Sequence, residues 1–201
     1  MDGIGWALSA MSAARTRLDV AAANLANGTT DGFRRAAVRG VLTNAGVAMY
    51  KTTDPAQGAF RRTGREFDLA IAGQGAFRLH DAAAGTVYTR CGAFTRDRDG
   101  TVRDTRGRAL VGSLGPVRVP EGASIDEHGN VVQNGRVINR IELPAHSLVR
   151  HGFLESSNVD AVSETIEVLT AQRSFESAQK VLSAIDQTRE RAVTQVPQVR
   201  A

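Results

Sequence analysis

Both ends of this chain carry apolar residues at heptad spacing while its middle is rich in glycine, and that layout restricts the fold more than any other feature. From Ile4 the positions run Ile4, Leu8, Met11, Leu18 and Leu25, with Ala22 filling in and Arg15 as the one break. They alternate spacings of four and three along one helix face. The far end runs Val159, Val162, Ile166 and Leu169, then drifts by one position into Val168, Ala171, Phe175, Ala178, Leu182 and Ile185. Each stripe requires a partner. The helices zip together within one subunit, pack on neighbouring subunits, or do both, and a chain that does both builds a polymer. An ordinary core helix at each end is the plainer alternative.

Between the ends the period changes from helical to two. Leu69, Ile71, Phe77 and Leu79 flank Gly73-Gln74-Gly75, and Val87-Tyr88-Thr89, Val102, Leu110-Val111, Val117-Arg118-Val119, Ile125, Val131-Val132, Val137-Ile138 and Ile141-Glu142-Leu143 follow. Asp99-Gly100, Arg106-Gly107, Glu121-Gly122, Gly129-Asn130 and Asn134-Gly135 separate them as turns. Short strands at such spacing form an all-β module. Pro116 and Pro120 bracket one strand and keep it at an edge. The expected fold is α+β: long terminal helices forming a coiled-coil-like stem, with a central all-β module of short strands. Its parts are an assembly helix over 1–32, an extended connector over 33–66, the β module over 67–150 and a second assembly helix with its tail over 151–201. The first helix runs from Gly3 to Asn27 and stops at Gly28-Thr29-Thr30-Asp31-Gly32, where Gly32 can take a positive φ. The second starts with Ser157 as N-cap and Asp160 three residues later.

Composition excludes several classes. Aromatic residues are 5% of the chain, so the core is built from aliphatic side chains. The net charge is +4, but the arginines are scattered and interrupted by acids, as in Arg96-Asp97-Arg98-Asp99. That is a solvated face or a set of subunit contacts, not a phosphate track, and no nucleic-acid partner is expected. One cysteine, Cys91, excludes an internal disulfide and a cysteine-rich zinc site. Asp2 and the polar interruptions at Ser9, Ser12, Arg15 and Arg17 argue against a cleavable signal peptide, and no stretch is apolar enough for membrane insertion. His80, His128, His146 and His151 lie apart from Cys91 and from any helical glutamate at ligand spacing, the Asp97–Asp99 start of a calcium loop continues wrongly at Thr101 and Val102, and Gly73-Gln74-Gly75 has Arg78 where a third glycine is required. No enzyme, cofactor or metal is expected.

Three ordered motif blocks resemble the flagellar basal-body rod and hook proteins, the axial proteins of the bacterial flagellum. Asn24-Leu25-Ala26-Asn27-Gly28-Thr29-Thr30-Asp31-Gly32-Phe33-Arg34 is similar to the family's rod signature. Asp68-Leu69-Ala70-Ile71-Ala72-Gly73-Gln74-Gly75-Ala76-Phe77 and Tyr88-Thr89-Arg90-Cys91-Gly92-Ala93-Phe94 resemble its paired β motifs. Gly152-Phe153-Leu154-Glu155-Ser156-Ser157-Asn158-Val159-Asp160 and Ala171-Gln172-Arg173-Ser174-Phe175-Glu176 resemble its two C-terminal signatures. Ala36 after Phe33-Arg34-Arg35, and Gly115 through Gly122, are closer to the proximal rod members than to the distal ones, and the β region is shorter than usual in both.

The resemblance implies a structural subunit of the rod, the axle crossing the periplasm, with terminal helices in an inner tube and the β module outside it. Its implied partners are copies of itself, other rod and hook-side axial proteins, the flagellar export apparatus that delivers it without a cleavable signal, and surrounding ring proteins. The residues expected at subunit interfaces are Ile4, Leu8, Met11, Leu18, Asn24, Leu25, Asn27, Gly32 and Phe33 at one end, and Leu154, Glu155, Asn158, Val159, Val162, Ile166, Leu169, Gln172, Arg173, Phe175, Leu182 and Ile185 at the other. Asn24 and Asn27 either cap the first helix or bond a neighbour. Arg173 falls at a core-type spacing from Ile166 and is read as an interhelical contact. A non-enzymatic β-rich binding module, whose end helices pair only with each other, is the competing class.

Overall fold

The structure, a computed structural model, describes residues 3–44 and 46–194. It contains the expected α+β combination: two long helices from the ends of the chain and many short antiparallel strands between them. Two compact units divide the chain, one built from the chain up to Asn27, Arg35–Asp54 and the chain from Val159 onward, the other from Gly28–Arg34 and Pro55–Asn158.

The helical unit holds α1 (Gly3–Ala26), β1 (Ala36–Thr43), β2 (Gly46–Thr53) and α2 (Ala161–Thr194). α1 ends where the Asn27 side chain donates to the Ala23 carbonyl at 2.8 Å, satisfying a carbonyl of its last turn. α2 begins one cap later than expected. The Asp160 carboxylate accepts from the Val162 and Ser163 backbone N–H at 3.4 and 3.2 Å, so Asp160 rather than Ser157 is the N-cap. The helices pair antiparallel, with Asn24 at one end bonded to Glu164 and Gly3 at the other against Ile185.

The stretch read as an extended connector is extended but paired. Residues 36–43 and 46–53 form a hairpin in register from Ala36↔Thr53 to Thr43↔Gly46, and the Val47 N–H donates to Ser9 Oγ of α1 at 2.7 Å. Its alternation is weak because Gly40 and Ala48 stand where large apolar residues usually mark a strand.

The β unit comprises β3 (Phe60–Arg62), β4 (Leu69–Ala72), β5 (Phe77–Asp81), β6 (Gly85–Thr89), β7 (Phe94–Arg96), β8 (Val102–Asp104), β9 (Ala109–Gly112), β10 (Gly115–Pro116), β11 (Ala123–Ile125), β12 (Asn130–Gln133), β13 (Arg136–Arg140), β14 (Leu148–His151) and β15 (Phe153–Glu155). Its largest sheet runs β6-β5-β9-β8-β7 with β10 added to β9, and its smaller ones are β11-β12-β13, β14-β4 and β15-β3. Leu69, Ile71, Phe77, Leu79, Phe94 and Leu110 lie in its core, where Phe77 and Phe94 meet edge to face at 5.1 Å. The strand expected over Val117-Arg118-Val119 is instead an irregular core segment. Val117 and Val119 are buried and bonded to Leu110 and Gly100, while Pro116 and Pro120, without N–H groups, prevent a continuous ladder.

Candidate assembly interface

At 100° per residue, the apolar residues of α2 fall on two opposite faces. Val168, Ala171, Phe175, Ala178, Leu182 and Ile185 share one, and all are buried or half-buried in the pairing with α1. Val162, Ile166 and Leu169 share the other and are 69%, 58% and 52% exposed, with Arg173 and Gln172 exposed beside them. The drift read in the sequence is therefore two stripes, one closed within the chain and one open. Val159, just before the helix, is half-buried.

The stripe read on α1 is likewise divided. Ile4, Met11 and Leu18 are half-buried, interleaved with buried Ala7, Ala14 and Ala21, whereas Leu8, Arg15, Ala22 and Leu25 are exposed. The alanines, which a hydrophobic reading passes over, make the tight contact, because a small side chain lets two helices approach closely. The break at Arg15 disappears, since Arg15 lies on the outer face 4.0 Å from Asp19.

Several residues expected at subunit contacts turn inward. Asn24 is fully buried: its Nδ2 donates to the Ala36 carbonyl at 2.8 Å and to Glu164 Oε2 at 3.0 Å, and its Oδ1 accepts from the Ala36 N–H at 2.9 Å. It does not cap α1, and both donors of its amide are used inside the helical unit. In the β unit, Leu154 and Glu155 are 2% and 1% exposed. The Glu155 carboxylate receives Arg90 through Nε and Nη2 at 2.7 and 2.6 Å, and Arg34 Nη2 lies 3.6 Å away. Gly32 has φ +72°, donates its N–H to the Glu155 carbonyl at 2.6 Å, and leaves only 2.3 Å between a notional Cβ and the Cys91 nitrogen. Phe33 is half-buried, and Asn158 Nδ2 donates to the Ala56 carbonyl at 2.9 Å.

The motif reading passed over two buried charge clusters. Arg90 also donates to the carbonyls of Ile71, Gly73 and Gly75, so it clasps the glycine turn from within. Burial pushes its pKa down, opposed by the hydrogen bond and charge of Glu155. In the helical unit Glu164 is 1% exposed and ion-paired to Arg35. A glutamate four residues before Val168 and seven before Ala171, inside an otherwise apolar stripe, is the visible signal for this cluster.

Three family profiles match the chain in order: "Flagella basal body rod protein" over residues 5–34, "Flagellar hook protein FlgE/F/G D1 domain" over 70–168, and "Flagellar basal body rod FlgEFG protein C-terminal" over 150–195. The flagellar basal-body rod protein FlgF of Mesorhizobium japonicum is 30% identical, covering 88% of this chain and 90% of the relative. The chain belongs to the flagellar basal-body rod protein family. FlgG of Agrobacterium fabrum, another basal-body rod protein, is 25% identical over a 252-residue alignment covering 93% of this chain and 96% of the relative. That alignment exceeds the 201 residues of this rod-family chain, so the relative carries segments that it lacks. The flagellar hook protein FlgE of Salmonella typhimurium is 34% identical over 113 residues, 53% of this chain and 28% of the relative. These relatives are named as proteins of the flagellar rod and hook. Among the described residues no helix is long and apolar enough to cross a membrane, and no group of three His, Cys, Asp or Glu side chains is arranged to hold a metal ion.

Proposed function

We propose that this chain is a self-assembling subunit of the periplasmic flagellar rod that passes torque along the axle through contacts between its terminal helices and those of neighbouring axial proteins. The supporting observation is the outward face of α2, where Val162, Ile166 and Leu169 remain exposed although the inward face already has a partner. An apolar stripe of heptad spacing left in water is a docking face for another helix. Leu8 and Leu25, exposed on α1, extend the surface offered to neighbours. The occupants are further copies of this chain and other rod and hook-side axial proteins. The flagellar export apparatus delivers the subunit, and ring proteins surround the finished rod. The sequence features around Ala36 and over Gly115–Gly122 favour a proximal position along it.

A tagged copy is expected to co-purify with isolated hook-basal bodies, and a copy lacking residues 159–201 is expected to be absent from them. Absence of both overturns the assignment and favours a β-rich binding module whose end helices pair only with each other. Leu25→Asp should leave the β unit folded yet stop incorporation, because a charge at a closed helix contact lacks a partner.

A further inference from the structure

The apolar contact between α1 and α2 nearly repeats itself every seven residues. On α1, Ile4 with Ala7, Met11 with Ala14, and Leu18 with Ala21 are successive copies of one aliphatic-alanine unit, and on α2 Ala171 and Ala178 recur at the same interval. Displacing α1 by seven residues puts alanine where alanine was and an aliphatic residue where another was; on α2 the same step exchanges Val168, Phe175 and Leu182 among themselves and sets Ile185 where Ala178 was. Packing alone discriminates poorly between such alignments. Yet the observed alignment is a particular one: Gly3 to Asn24 and Ile185 back to Glu164 each span three heptads, with partners facing at both ends.

The polar part of the contact has no counterpart one heptad away. Glu164 and Asn24 are 1% and 0% exposed, the Glu164 carboxylate is shared between Asn24 and Arg35, and Asn24 is simultaneously bonded to the backbone of Ala36 in both directions. A shift of one heptad in either direction removes Glu164 from Asn24 and Arg35. One shift sets it level with Arg17, and the other carries it past the end of α1. Neither reproduces the bonds of Asn24 to both Glu164 and Ala36. A buried carboxylate that loses its partners carries a large penalty, whereas a buried pair exchanged for apolar side chains often costs nothing or stabilises.

We propose that the Asn24–Glu164–Arg35 cluster is the register key of the terminal helix pair, selecting one alignment among heptad-shifted alternatives at no gain in pairing strength. It goes beyond the rod reading and does not depend on it, since the helix pair lies within one chain. Register would matter to any polymer, because a slipped pair alters the length of α2 that is left to a neighbour.

The test uses the full-length chain with Cys91→Ser, equilibrated in a glutathione redox buffer so that cross-links form reversibly and report the preferred alignment. Gly3→Cys with Ile185→Cys reports the observed alignment. Gly3→Cys with Ala178→Cys, and Ala10→Cys with Ile185→Cys, report the two alignments displaced by one heptad. With Glu164 in place, only the first pair is expected to cross-link. In a Glu164→Leu background, the displaced pairs are expected to cross-link as well, at yields comparable with the first and with helix content by circular dichroism undiminished, while Glu164→Gln, which still accepts from Asn24, keeps the preference for the first. Cross-linking only through 3 and 185 in the Glu164→Leu chain overturns the proposal, as does displaced cross-linking with Glu164 present. So does loss of every cross-link, either in the Glu164→Leu chain, where it means that the cluster supplies pairing strength, or with Glu164 present.

Discussion

Glu155 carries a charge almost wholly removed from water, held by the two-pronged contact of Arg90 at 2.7 and 2.6 Å. Arg90 in turn holds the carbonyls of Ile71, Gly73 and Gly75, so one guanidinium joins β15 to the end of β4 and the turn after it. Glu155→Ala or Arg90→Ala alone strands the other charge and should cost about 3–5 kcal/mol of β-unit stability, with the double variant less damaged than the sum, as read by denaturant unfolding in a double-mutant cycle. Gly32→Ala should cost about 1–3 kcal/mol in the same measurement, through a left-handed φ and a Cβ driven against the Cys91 backbone. The Asp160 carboxyl is held below the usual carboxylate range by hydrogen bonds from the Ser163 side chain and backbone. A depressed folded-state pKa means that its contribution to the start of α2 is present above the ordinary carboxylate pKa and fades as pH falls through the lowered value. Protection factors in the first turn of α2, taken relative to the intrinsic exchange rate at each pH, should therefore fall on acidification, and Asp160→Asn should flatten that dependence. Glu164 inside an apolar stripe signals a buried charge, but the partners in each buried pair are not legible in the sequence. Arg90 and Glu155 lie 65 residues apart and Asn24 and Glu164 lie 140 apart, and no local pattern brings such positions together.

Among the elements, α2 has two apolar faces, one turned to α1 and one exposed. Ile166→Asp lies on the open face and should shift the unfolding of the isolated chain by no more than about 0.5 kcal/mol, as surface changes usually do. Phe175→Asp lies on the face turned to α1 and should unfold the helix pair in the same thermal scan, since it sets a charge in an apolar contact. Equal effects of the two would contradict the division into faces. The helices were legible from their period, and α1 over Gly3–Ala26 falls one residue short of its expected end. Their inward faces were only partly legible. Ala7, Ala14 and Ala21 are small enough to be buried without registering as apolar anchors, while Leu8 and Leu25 register strongly and are exposed. The β1–β2 hairpin was missed for a related reason: its strands lack a strict apolar alternation, so periodicity had little to detect.

For the whole molecule, the motif blocks conveyed more than the periodicities did. Asn24, Gly32, Arg90 and Glu155 each sit within a family signature, and in the structure each is buried or conformationally constrained inside the chain. These signature positions therefore build the subunit itself. The surface proposed for neighbours consists instead of residues such as Val162, Ile166 and Leu169, exposed in a plain heptad stripe. Under the proposed function, a helix pair satisfied on one face and open on the other, repeated from subunit to subunit, would give a heterologous contact that propagates rather than closes. The most direct test is to express Val162, Ile166 and Leu169 together as aspartates in a tagged copy and to compare it with the unaltered tagged copy, scoring helix content of the purified chains and recovery in isolated hook-basal bodies. The account predicts unchanged helix content and exclusion from the particles. Normal recovery of the triple variant would contradict it and show that the open face of α2 is not where the rod holds this subunit.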